Sequence, residues 1–240
     1  MKNSTLQTFG GAMVLAVASV SGSLLATERT FSVYGYDDVR ITGPVNVEIE
    51  TGKGLSARAE AADRATLDRV SLRRNGSQLV ISMENRTDQT NRYQKDAPVT
   101  VYLGSYEIKK ITHSGTGTVK LDKLSGRTPR AQLGGFGVMD IGSVDADILE
   151  VAMQGGGQIS IAGKAGDARI NLLGSSMFNA PELIVKDLQL NQRGPAQSHI
   201  SATREAKVSN SGTGLITIDG KANCLVKSDG AAQIICNPKG

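Results

Sequence analysis

Across the second half of the chain, apolar and polar residues keep step with glycine. The reference positions are Gly115, Gly135, Gly155, Gly174, Gly194, Gly212 and Gly230, spaced 20, 20, 19, 20, 18 and 18 residues apart. Four residues before each stand Ile111, Ala131, Val151, Ile170, Leu190, Val208 and Val226. Four after stand Val119, Met139, Ile159, Phe178, Ser198, Ile216 and Ile234, and six after stand Leu121, Ile141, Ile161, Ala180, Ile200, Ile218 and Cys236. Among these only Ser198 is plainly polar. The intervening position reads Lys120, Asp140, Ser160, Asn179, His199 and Thr217, broken by Ile235. Alternation with period two marks a strand with one buried face. A repeat of about 20 residues marks stacked coils.

The pattern predicts an all-β, single-domain parallel β-helix, or β-solenoid, of about seven coils. Each coil is a strand, a glycine turn and a second strand. One coil cannot bury its own apolar face, but coils stacked about 4.8 Å apart place each column residue on its counterpart. Right-handed winding is expected from the general preference of crossover connections. The glycines are read as structural turn residues, needed for positive φ and for close approach of neighbouring backbones. Phosphate binding fails on spacing. Gly163-Lys164 has Gln158 where a Walker loop needs glycine, and Lys120 and Ser160 stand where a dinucleotide fingerprint needs its third glycine. A calcium-binding nonapeptide fails too, because Asp140 follows Gly134-Gly135-Phe136-Gly137 one residue late. No cofactor or metal site is expected.

Residues 27–107 lack a clean repeat yet remain strand-like, and are expected to form irregular capping strands before the regular coils of 108–240. Val39, Ile41, Val45, Val47 and Ile49 alternate along one face. Val70-Ser71-Leu72 and Leu79-Val80-Ile81 flank Asn75-Gly76, a hairpin signal. Ala61 to Asp68 predicts a short helix, and the polar stretch between Met83 and Val99 predicts an exposed loop.

Composition narrows the setting. Residues 1–26 carry Lys2 and no acid, then a short apolar run from Ala12 to Val20, which is too short to span a bilayer as a helix and reads as a secretory signal peptide. Cleavage is expected after Ala26, or alternatively near Ser21 or Gly22. The remaining chain holds 26 basic and 23 acidic residues, too even a balance for dedicated nucleic-acid binding. Tryptophan is absent, which counts against an aromatic-lined sugar cleft. The two cysteines, Cys224 and Cys236, lie six residues before and six after Gly230, at equivalent inward positions of the last coil. In an oxidising compartment they are expected to form a disulfide.

Gly43-Pro44-Val45-Asn46-Val47, then Leu67 to Leu72, Asn75-Gly76, Leu79-Val80-Ile81, Val99-Thr100-Val101 and the repeated Ser-Gly-x-Gly turns resemble the bacterial envelope family described as putative auto-transporter adhesin, head GIN domain. The resemblance covers about residues 30–237. It implies a secreted or periplasmic β-helical module and supplies no catalytic residues. The chain departs from the pattern at Gly174-Ser175-Ser176 and Gly194-Pro195-Ala196, which lack the second glycine, so the shape of those two turns is in doubt.

Chemistry on a β-helix would need acids or bases converging from adjacent coils on one outer face. Asp140 and His199 share a column but stand three coils apart, and both His113 and His199 read as lone surface or turn histidines. No acidic pair is expected on adjacent coils, with Asp187, Asp219 and Asp229 assigned to different slots. Catalysis is therefore not expected. A binding surface is more plausible. Five residues before each glycine the chain reads Lys110, Arg130, Glu150, Arg169, Gln189, Lys207 and Leu225, so Lys110, Arg130, Arg169 and Lys207 form a candidate anion-binding strip. Beside it runs Thr112, Gln132, Ala152, Asn171, Asn191, Ser209 and Lys227, in which Asn171 and Asn191 are placed to form a ladder.

The expected function is a non-catalytic module exported to the periplasm or cell surface. Its partners would be envelope glycan, lipopolysaccharide or protein, or a second copy of itself, with no nucleic acid and no transmembrane span. A polysaccharide-cleaving enzyme and a purely structural, self-associating envelope protein are the alternatives.

Overall fold

The computed structural model describes residues 27–84 and 98–237. The expected leader, its cleavage site and nearly all of the polar stretch after Met83 lie outside the described residues. The protein is nearly all β, a solenoid of about six turns rather than seven coils.

Regular winding is carried by ten strands: β8 (Lys110–Gly115), β9 (Thr118–Ser125), β10 (Arg130–Gly135), β11 (Val138–Gly155), β12 (Gln158–Gly174), β13 (Met177–Arg193), β14 (Gln197–Ser211), β15 (Leu215–Gly220), β16 (Asn223–Ser228) and β17 (Gln233–Cys236). All of their mutual pairings are parallel. From β8 to β12 the register repeats corner on corner. Gly115 lies beside Gly135, Gly135 beside Gly155 and Gly155 beside Gly174. Each long strand also breaks register after the corner, between Ile141 and Val144 for example, which bends the chain onto a third side.

The expected columns form the core. Ile141, Ile161 and Ile200 are all buried, and Ile111, Ala131, Val151, Ile170, Leu190 and Val208 line up behind the corners with at most 2% exposure. At about 1.5 to 3 kcal/mol for each large aliphatic side chain removed from water, such columns offset the entropy of ordering long strands. Close approach governs the corners more widely than positive φ does. Gly135, Gly155, Gly174 and Gly194 have φ of 93°, 117°, 101° and 93°, whereas Gly115, Gly212 and Gly230 do not lie in that region. A Cβ on Gly174 would stand 2.7 Å from the Gly155 carbonyl oxygen, so the stacking distance alone demands glycine there. The two corners without a second glycine keep the same φ, with Ser176 and Ala196 buried in its place.

The described residues before β8 build the other end. β2 (Asp38–Thr42) and β3 (Asn46–Thr51) pair in parallel with β8 and β9, and Gly43 lies under Gly115 as a further corner. On its opposite edge the same rung pairs with β6 (Gln78–Met83) and β7 (Val99–Ser105), which come later in the chain. β5 (Val70–Asn75) closes antiparallel on β6 through the predicted Asn75-Gly76 hairpin. β4 (Ser56–Ala61) lies antiparallel on β7, and β1 (Thr27–Thr30) antiparallel on β4. The predicted helix is α1 (Arg64–Asp68), capped by the Asp63 carboxylate accepting from the Thr66 N–H at 2.7 Å, and it buries Leu67.

One expectation is corrected inside the core. His113 is not a surface or turn residue. It is fully buried two positions before Gly115, in a column whose other members include Ile41, Leu133, Met153 and Leu172. Its Nε2 lies 2.9 Å from the Gly117 carbonyl oxygen, and burial pushes its pKa below the usual value. Further along, the same column holds Gln192, which donates to the Ala196 carbonyl at 2.7 Å, and Asn210, which donates to Ser228 Oγ at 2.9 Å. Ser198, the polar exception in its own column, donates to Gln192 Oε1 at 3.0 Å. These buried polar groups thus fasten corners from inside.

Candidate functional site

The face built by the strand segments just before each corner presents three outward columns, because side chains alternate along a strand and repeat in register between rungs. The first holds all four predicted basic residues. The register places Lys110 between Asp38 and Arg130, and Glu150 between Arg130 and Arg169. Lys110 Nζ is 3.3 Å from Asp38, Arg130 Nε is 2.6 Å from Glu150, Arg169 is 3.5 Å from Glu150, and Lys207 Nζ is 2.6 Å from Glu205. The strip exists as a line of cations, each beside a carboxylate. Such pairs contribute little to stability, but they weaken the field an approaching anion would meet.

The second column is uncharged over most of its length. Asn191 donates to Asn171 Oδ1 at 3.0 Å, forming the expected ladder, and Thr112 donates to Gln132 Oε1 at 3.3 Å. In the third column Ser114, Gly134, Gln154, Leu173 and Arg193 follow one another rung by rung. Gly134 and Ala152 are small at the centre of the face, so the surface dips into a groove of about 670 Å³ edged by Gln132, Gln154, Asn171, Asn191 and Arg193. The groove offers amide donors and acceptors at intervals of one rung, on a rigid floor.

The family comparison bears on this geometry. The model of the family described as putative auto-transporter adhesin, head GIN domain, matches residues 35–222. The chain belongs to that family. The head GIN fold recurs in solved structures. A putative adhesin from Bacteroides fragilis superposes with a TM-score of 0.76 at 17% identity, covering 89% of this chain and 98% of its own. A putative adhesin from Parabacteroides distasonis gives 0.70 at 16% identity, and a putative lipid binding protein from the same species 0.66 at 16%, each covering 88% of this chain and 96% of its own. No curated protein matches the chain.

Elsewhere on this head GIN domain the structure brings together groups that column counting kept apart. His199 Nε2 lies 2.7 Å from Asp219 Oδ2 across neighbouring rungs, so His199 is not alone. Asp167, Asp187 and Glu205 stand in one register column on adjacent rungs, contrary to the expectation that no acids recur. Arg204 donates to both carboxylate oxygens of Asp187, so this carboxylate is held in an ion pair. Among the described residues no group of three or more His, Cys, Asp or Glu side chains is placed to hold a metal. No helix among them is long and apolar enough to cross a membrane. Cys224 and Cys236 form the expected disulfide, with their Cα atoms 6.6 Å apart.

Proposed function

We propose that this head GIN chain is an exported, non-catalytic adhesion-type module that holds an envelope glycan across the face flanking its corners. One observation carries the reading: amide side chains repeat at rung spacing around the groove, and in the adjacent basic column Lys110, Arg130, Arg169 and Lys207 already lie beside carboxylates, which leaves Arg193 as the cation on the groove's edge that is open to a ligand. A polymer of hydroxyl groups gains from that array, whereas a polyanion laid along the basic column would have to displace Asp38, Glu150 and Glu205. The names of the structural neighbours, adhesins and a lipid binding protein, support a binding role rather than catalysis, as does the occupation of Asp187 by Arg204. A disulfide and the apolar leader support export to the periplasm or cell surface.

Two variants test this on the purified protein with isolated envelope polysaccharide. Replacing Gln132, Asn171 and Asn191 together by alanine is expected to weaken binding by at least about tenfold, since each lost hydrogen bond is worth roughly 0.5–1.5 kcal/mol. Reversing charge at Arg130 and Arg169 is expected to change it little. If the charge reversal or raised salt abolishes binding and the amide variant does not, the ligand is anionic, as a lipopolysaccharide phosphate would be, and the glycan reading fails.

A further inference from the structure

A second groove lies at the other end of the solenoid, on a different side from the amide face. Its upper wall is the segment after β1, with Phe31 and Tyr34, and its lower wall is formed by Glu48 and Glu50 of β3, Arg58 of β4 and Tyr102 of β7. Its volume is about 720 Å³, within the range of small-molecule sites. From this arrangement we propose that the groove binds a neutral sugar unit.

The aromatic content of the chain is low, but its distribution is uneven. All five tyrosines fall between residues 34 and 106. The fold then gathers Tyr34, Tyr102 and Phe31 around one opening, which reverses the argument drawn from composition against an aromatic-lined cleft. Tyr34 is 70% exposed, so its ring is open to solvent at the mouth of the groove. An arginine guanidinium attends each ring: Arg58 is 4.6 Å from the Tyr102 centroid, Arg29 is 4.7 Å from Phe31 and Arg74 is 5.9 Å from Tyr34. The more distant contact leaves Tyr34 the most open of the three.

Charge decides the class of ligand. The groove carries two carboxylates and two cations, and these are paired. Glu50 accepts from Lys53 at 2.7 Å, Glu48 lies 3.3 Å from Lys120, and Arg58 lies 2.6 Å from Glu60. An ionic ligand therefore finds no uncompensated partner. A pyranose presents hydroxyl groups that these carboxylates accept from and these cations donate to, and a C–H face that packs on a tyrosine ring. The groove is also built to hold its shape. The Phe31 N–H donates to the Ala57 carbonyl at 2.9 Å, and the buried Tyr36 hydroxyl donates to the Gly104 carbonyl at 2.8 Å, so the upper wall is fixed at both ends. Preformed walls spare the ordering cost of binding.

This site is separate from the amide face and does not depend on the adhesion reading. The test is a nuclear magnetic resonance titration of the purified protein with methyl glucoside, methyl galactoside, methyl mannoside, N-acetylglucosamine, cellobiose and maltose, with glucuronate and glucosamine as charged comparators. At least one neutral sugar is expected to saturate and to shift the ring signals of Tyr34 and Tyr102. Tyr34→Ala, at an exposed side chain that leaves the core intact, is expected to weaken that binding about tenfold, the worth of one stacked ring. Glu50→Gln is expected to weaken it less, and Asn171→Ala with Asn191→Ala not at all. The proposal is overturned if no neutral sugar saturates, if a charged comparator binds more tightly, or if Tyr34→Ala binds as well as the parent while the asparagine variant does not.

Discussion

The two ends of the solenoid solve the same problem by different means. A stack of parallel rungs leaves unpaired backbone groups and an open core at each end, an invitation to edge pairing. At the N-terminal end the chain doubles back. β4 and β5 run antiparallel on the outermost rung, and α1 lays Leu67, at 0% exposure, over the core. At the C-terminal end nothing in the described chain covers the last rung. Val226 belongs to the column of Val208 and Leu190, which are 2% and 1% exposed, yet is itself 47% exposed. There a covalent bond between Cys224 and Cys236 ties the two strands together instead. One end is stabilised by burial and the other by restricting the unfolded chain, so they should respond to different perturbations.

The largest effect is expected from Leu67→Ala. Removing a fully buried leucine costs about 2–5 kcal/mol through lost transfer energy and the cavity left behind. The loss should concentrate at the N-terminal end, seen as faster amide exchange in β4 to β7 with β13 and β14 unchanged. Uniform acceleration along the chain would show that the ends are not separable. Replacing Cys224 and Cys236 by serine, or reducing them, should cost about 3 kcal/mol, the entropy of closing a short loop. Its signature is the reverse: exchange speeds up in β15 to β17 first, and binding to the last exposed rung by a hydrophobic dye rises. If Leu67→Ala and disulfide loss give the same exchange pattern, the contrast between the ends is wrong.

A smaller effect is expected from the helix cap. Asp63→Ala removes the acceptor for the Thr66 N–H and should cost about 1 kcal/mol. Because α1 covers the end without carrying a rung, denaturant melting should shift modestly while exchange in β8 and beyond stays as it was.

How far these features could be read in the chain follows from counting. The interior columns were legible because each glycine resets the count within four to six residues. Gly43 was not recognised as a corner because 72 residues separate it from Gly115, although their backbones touch. The acidic column was missed for a related reason. Asp167, Asp187 and Glu205 each stand seven residues before the next glycine, but counted from the previous one they fall in different slots, since register breaks such as Ile141/Val144 absorb the varying length. His199 and Asp219 meet diagonally, a relation that columns do not show. The Tyr34 groove was illegible because its walls come from four segments between residues 30 and 104, joined only by the doubling back of the chain.

The smallest prediction uses the buried histidine nearest the capped end to ask whether that end also sets the response to acid. His113 sits one rung from β2, with its pKa lowered first by burial, partly offset by the carbonyls of Gly117 and Ile41. In the unfolded chain its value is the ordinary 6.5. Protons therefore bind the unfolded state first. Stability from this residue is complete above that pH, falls as the pH drops from about 6.5 towards the folded-state pKa, and falls no further below it. His113→Leu places at this rung the residue found at Leu133 and Leu172 of the same column, and Gly117 O keeps the Val138 N–H at 3.1 Å. The variant should melt with a flatter pH dependence below about pH 6.5, the gap from the parent opening on the acid side. Exchange should locate the parent's acid loss in β2 and β8, next to the cap. A parent and variant that run parallel through that range would show that His113 keeps its ordinary pKa when folded.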